Sequence, residues 1–157
     1  MSLYRSAAEL PVGTVDMGTT AFTTTLVHGH EASLMVAERP GGYHSRPHTH
    51  DCEQLNLLQS GELHVYCDER AYLLHPGDVL RIPAGAIHWS WNRADEPCVL
   101  IEVHAPGLQG DPGIAPIAVA LFDEAEVATG GGAVNVDVEL PAEFVARVEA
   151  LAPAVAA

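Results

Sequence analysis

The stretch Gly77-Asp78-Val79-Leu80-Arg81-Ile82-Pro83-Ala84-Gly85-Ala86-Ile87-His88-Trp89-Ser90-Trp91-Asn92 decides how the chain reads. Two short β-type runs, residues 79–82 and 87–91, flank a Pro-Ala-Gly turn, the punctuation that ends one strand and begins the next. Trp89 and Trp91 alternate with His88 and so face away from it, as packing residues. Outward from here the texture repeats. Residues 21–27, 32–38, 53–58, 62–67, 71–74 and 98–104 are further β-type runs, separated by Gly, Pro, Asn or Asp at close intervals. Many such runs predict an antiparallel sandwich or barrel. In 62–67, Leu63, Val65 and Cys67 alternate with Glu62, His64 and Tyr66, the period of a strand with one buried face. Only residues 142–151 change period. Phe144, Val148 and Leu151 recur at spacings of four and three, and Pro141 suits a first helical position, which predicts one amphipathic helix. Gly130-Gly131-Gly132 ahead of it reads as a loop.

Composition narrows the chemistry. The 157 residues carry 7 Lys+Arg against 21 Asp+Glu, a formal charge of −14, and every cation is arginine. Without lysine there is no Schiff-base chemistry, and the acidic balance excludes docking on nucleic acid or anionic membrane. No basic segment followed by an apolar stretch opens the chain, and the longest mainly apolar run, 114–122, is interrupted by Pro116. A cytoplasmic protein that does not span a membrane is expected. Cys52, Cys67 and Cys98 show no C-x-x-C spacing and read as free thiols. We read residues 1–157 as one domain, long enough to bury about 68–70% of its unfolded surface.

The nine histidines are informative because they are unevenly placed. His48-Thr49-His50 puts two imidazoles on one face of an extended strand, converging where a metal can sit. Gln54, four beyond His50, shares that face; Glu53 points away unless a bulge intervenes. Gln54 is therefore preferred to Glu53 as a further ligand, although carboxylate is the stronger donor. His88 supplies a third imidazole from another strand. His28-Gly29-His30 repeats the spacing without a matching distant partner, and His64 and His75 read as hydrogen-bonded or surface residues. In 98–104, Glu102 and His104 share a parity among apolar neighbours. A carboxylate there has its pKa raised toward the range of a general base, so Glu102 is the candidate catalytic base. Arg81 and Arg46 are the cations nearest these motifs and the candidates for anchoring an anionic substrate. Asn56 has the ligand-face parity and is a candidate to line the pocket.

These residues resemble the cupins. That family's first motif, G-x5-H-x-H-x3/4-E-x6-G, is similar to Gly42, His48, His50, Gln54 and Gly61, with glutamine where the family usually has glutamate. Its second, G-x5-P-x-G-x2-H-x3-N, is met at every fixed position by Gly77, Pro83, Gly85, His88 and Asn92. The resemblance covers about residues 30–105. It implies an all-β double-stranded β-helix, a jelly-roll barrel, here with an extension over 122–157 that ends in the short helix. It also implies a homodimer paired through outer sheets, and one divalent transition metal ion (zinc, iron, nickel or manganese) on His48, His50 and His88, with Gln54 the candidate fourth ligand. Residues 99–106 are similar to a strand of small cupins that open the rings of unsaturated uronates, and the ligand set also looks like that of polyketide-cyclase cupins. A dipositive ion among neutral ligands keeps its whole charge and is the stronger Lewis acid for it. The function expected is a metal-dependent, non-redox step (isomerisation, cyclisation, lyase or ring opening) on a small oxygenated metabolite. An iron-dependent dioxygenase and a non-catalytic binding or sensing cupin are the alternatives. Residues 122–149, with seven acids and one arginine, read as solvated surface.

Overall fold

The computed structural model describes residues 3–121 and 132–154; Gly130 and Gly131 of the expected loop lie outside them. Among the described residues twelve strands and one α-helix follow in order: β1 Gly13–Val15, β2 Phe22–His28, β3 Ser33–Arg39, β4 His48–Thr49, β5 Glu53–Ser60, β6 Leu63–Cys67, β7 Arg70–Leu74, β8 Val79–Ile82, β9 His88–Trp91, β10 Cys98–Ala105, β11 Val119–Ala120, β12 Val136–Asp137 and α1 Ala142–Glu149. Two sheets form. The seven-stranded sheet runs β1-β2-β3-β10-β5-β8, with β11 added parallel to β2, and the five-stranded sheet runs β12-β4-β9-β6-β7. Every other pairing is antiparallel. This is the jelly-roll barrel expected.

Register writes the interior. Across β2, β3, β10, β5 and β8 one row reads His28, Ser33, His104, Gln54, Ile82 and the next Leu26, Met35, Glu102, Asn56, Leu80. Because side chains alternate across a sheet, these rows share its inner face. Apolar clusters occupy both ends: Phe22, Leu26, Met35, Tyr43, Leu108 and Ile114 at one, Leu58, Leu63, Val65, Leu74, Ile82 and Leu100 at the other. Polar residues fill the strip between them. Along β10, Leu100 gives way to Glu102 and His104, all buried.

A third cluster corrects two expectations. Tyr66, read as facing solvent from β6, is buried with Trp89 and Val148 beneath α1, so β6 is covered on both faces. Glu149, read as solvated acidity, accepts from Trp89 Nε1 at 2.9 Å and lies 2.7 Å from His44 Nε2. The helix ends at Glu149 rather than Leu151, Pro141 caps it from one position earlier, and Leu151 is exposed. The β6–β7 turn places Asp68 and Glu69 at φ 47° and 60°, the two positive φ values that a two-residue hairpin loop requires.

Gly61 shows how the motif glycines act. Its φ is +78°, and a Cβ there would lie 2.7 Å from the Cys98 Cβ. Gly61→Ala combines left-handed backbone strain with overpacking, at a cost of about 2–5 kcal/mol. The denaturant midpoint should fall accordingly, with metal stoichiometry retained in the folded fraction.

Candidate metal centre

β4 carries His48 into His50, and β9 begins with His88, whose Cα pairs with that of His48. One nitrogen from each ring lies within 4.8 Å of the others. The second nitrogen is committed locally: His48 Nδ1 to the carbonyl of Arg46 at 2.8 Å, His50 Nδ1 to that of Cys52 at 3.0 Å, His88 Nδ1 to that of Ala86 at 3.0 Å. Carbonyls only accept, so each Nδ1 bears the proton, and a neutral ring then presents a bare Nε2. His88 Nε2 is buried without a hydrogen-bond partner. Metal-ligating histidines are commonly oriented by this kind of hydrogen bond.

Gln54 lies beside the group. Its Nε2 donates to Asn56 Oδ1 at 2.7 Å and to Glu102 Oε1 at 3.2 Å. Two acceptors on the amide nitrogen fix the orientation of the side chain, turning Oε1 to within 2.9 Å of His50 Nε2. With His50 Nδ1 donating to Cys52, this sets lone pair against lone pair, an arrangement that a cation bound by both atoms relieves. The donor set therefore fits a divalent transition metal: neutral imidazoles and an amide oxygen.

Burial sets the electrostatics. It pushes His48 down to about 4, and neighbouring His50 adds to this against the pull of the Arg46 carbonyl. His104 falls to about 3, through burial and then the nearby His50 and His48, and His88 falls well below its usual range for the same first cause. All three rings are neutral at physiological pH, as a metal ligand must be.

The other expected residues divide. Glu102 and Asn56 are buried and line the central cavity together with Gln54. Arg81 does not: Leu55 and Arg81 pair on the outer face, where the guanidinium meets Glu53. Ile82, not Arg81, takes the inward position on β8, and that parity also turns Glu53 away from the imidazoles. Arg46 is half exposed and engaged by Asp137 at 2.9 Å and the Asp16 carbonyl at 3.0 Å. Neither of these two cations lines the central cavity.

Two residues went unassigned. His104 shares the Gln54 row, its ring centroid 5.5 Å from that of His50 and its Nδ1 buried without a partner; its parity with Glu102 was the available signal. Arg39 closes β3 on the parity of Ser33, Met35 and Ala37, and its Nη2 donates to Glu102 Oε1 at 2.7 Å. A cation at an inward position was the sign that would have found it.

Residues 34–104 match the profile of the family described as the cupin domain. Over these residues the chain is a cupin. Solved structures of the same shape include an RmlC-like cupin from Shewanella frigidimarina (TM-score 0.59, 19% identity, 68% of this chain and 92% of that one). The polyketide cyclase RemF from Streptomyces resistomycificus is similar (0.59, 18%, 67% and 80%), as is KdgF from Halomonas sp. (0.58, 18%, 66% and 94%). At these identities the likeness is one of fold. No curated protein matches the chain. No helix among the described residues is long and apolar enough to cross a membrane.

The cupin's neutral histidines give a signed pH dependence. Unfolded, His48 and His104 take up a proton near 6.5; folded, they resist until about 4 and about 3. Stability of metal-free protein is therefore full above pH 6.5 and falls below it, by up to about 1.4 kcal/mol per pH unit for each ring. Urea unfolding at pH 7, 6 and 5 checks this, and bound metal should steepen the loss by competing with the same protons.

Proposed function

We propose that this cupin is an enzyme that holds one divalent metal ion on His48, His50, His88 and Gln54 and carries out a non-redox step on a small oxygenated molecule. The observation that carries the reading is the set of three Nδ1–H groups spent on carbonyls, leaving bare Nε2 atoms to converge beside an amide oxygen aimed at them. When bound, the metal supplies Lewis acidity, undiminished because no ligand is anionic. The chain's own residues do the rest. Asn56 and Glu102 hold the Gln54 amide in its ligating orientation. Glu102 spends Oε1 on Arg39 and Gln54, leaving Oε2 as the oxygen that takes a proton from the substrate and returns it. The apolar ends of the barrel exclude water, which strengthens each charge inside.

The outer face of the seven-stranded sheet supports self-association. Val103 lies between Leu34 and Leu55, and Ile101 between Val36 and Leu57, which adjoins Val79. Leu34, Leu55, Leu57 and Val79 are exposed, and a contiguous apolar patch of this kind marks an interface. We assign a homodimer to it. The buried unpaired cysteines suit a reducing cytoplasm, where we place the protein.

Metal analysis tests the centre. Wild type is expected to retain one equivalent of divalent metal through gel filtration, and His48→Ala or His88→Ala to lose it. Stoichiometric metal in either variant would falsify the ligand assignment. Glu102→Gln should keep the metal and lose turnover by at least a hundredfold. Oxygen consumption by iron-loaded protein would replace the non-redox reading with a dioxygenase, and metal binding without turnover in a broad substrate screen would leave a sensing module. For the dimer, sedimentation of Leu57→Asp should give a monomer with unchanged metal content.

A further inference from the structure

The central cavity holds a cation that the metal reading does not use. Arg39 is the one arginine among the described residues lining it, and Glu102 the one carboxylate. Of the guanidinium's donors, Nη2 serves Glu102, while Nε and Nη1 are buried with no hydrogen-bond partner among the described residues. Phe22 and Tyr43 grip the group, their ring centroids 4.0 and 5.2 Å from Cζ. Such a clamp fixes the plane of the fork while its edges stay available. Buried donors on a charged group are ordinarily satisfied, and exceptions call for an explanation. Met17, Met35, Leu100, Leu108 and Ile114 supply the apolar part of the wall, beside the polar Ser45, Ser90 and Asn56.

Charge points the same way. Arg39 and Glu102 cancel, the imidazoles and Gln54 are neutral, and a divalent ion would leave the cavity dipositive, so an anion is favoured there. The cavity volume is about 40 Å³, room for only a few waters, although two methionines in the wall can adapt. Arg39 connects to the imidazoles through Glu102 and Gln54, by contacts of 2.7, 3.2 and 2.9 Å.

We propose that Arg39 is the recognition cation of this cavity, and that its ligand is a small apolar molecule carrying one carboxylate or enolate oxygen bound at Nε or Nη1. The proposal rests on the metal-enzyme reading for the second contact, at the histidines, but not for the first. Its test uses isobutyrate and the isosteric neutral isobutyramide, with Kd from ligand-observed NMR and metal content measured on every sample. Wild type should bind isobutyrate at least tenfold tighter than isobutyramide. Arg39→Gln should erase that preference, and Arg39→Lys, which keeps a charge beside Glu102 without the fork, should lose most of it. Equal binding of acid and amide by wild type, no binding of the acid, or a preference that survives in folded Arg39→Gln would overturn the proposal. Because the variants can fold poorly, a crystal structure of wild type with isobutyrate decides independently. A carboxylate within hydrogen-bond distance of Arg39 supports it, and one placed only at the histidines, or none, overturns it. Wild type that takes up no divalent metal yet still prefers the acid to the amide would sink the metal reading alone.

Discussion

Three hydrogen bonds, each between an imidazole Nδ1 and a carbonyl two residues away, are what the rest of the site depends on. They are local, so the rings are oriented by the backbone of their own strand ends. The long-range part of the fold then has only to bring two strand ends together. It does so directly: Gly85, in the turn before β9, donates its N–H to the carbonyl of His50 at 2.9 Å. The turn that precedes one histidine is thereby tied to the residue that carries another. Preorganisation of this kind spares a metal the work of freezing rotamers.

The second level of control is the orientation of one amide. A glutamate at position 54 would need no orienting, since its two oxygens are equivalent. A glutamine does, and the acceptors on β5 and β10 provide it. Glu102 is therefore used twice, once to turn Gln54 and once as a charge held by Arg39. Buried ion pairs gain little net stability because desolvation offsets attraction. The Arg39–Glu102 pair is better understood as part of the cavity's recognition chemistry than as a support for the barrel.

Much of this was legible in the residues. β-type runs between turn residues marked eight of the twelve strands among the described residues, because runs of four or more stand out from their punctuation. β1, β4, β11 and β12, two or three residues each, show none, although β4 holds the H-x-H pair itself. The four motif glycines, Gly42, Gly61, Gly77 and Gly85, are the glycines with positive φ among the described residues, so the motif spacing records where the backbone turns. Parity placed Gln54 and Asn56 inward. Arg81 faces outward although it sits between motif residues, because one step along a strand reverses the face. Arg39 lay one residue past the end of the run in which its inward parity was visible, and Tyr66 was misjudged because a helix from the far end of the chain covers it.

The pairing of β12 with β4 sets Val136 opposite Thr49 and Asp137 opposite His48. The two-residue strand at the heart of the site thus gains its outer neighbour from a segment synthesised nearly ninety residues later, the interval between 49 and 136. All three histidines leave the ribosome before that wall exists. Synthesis of the histidines and closure of their outer flank are consequently separate in time.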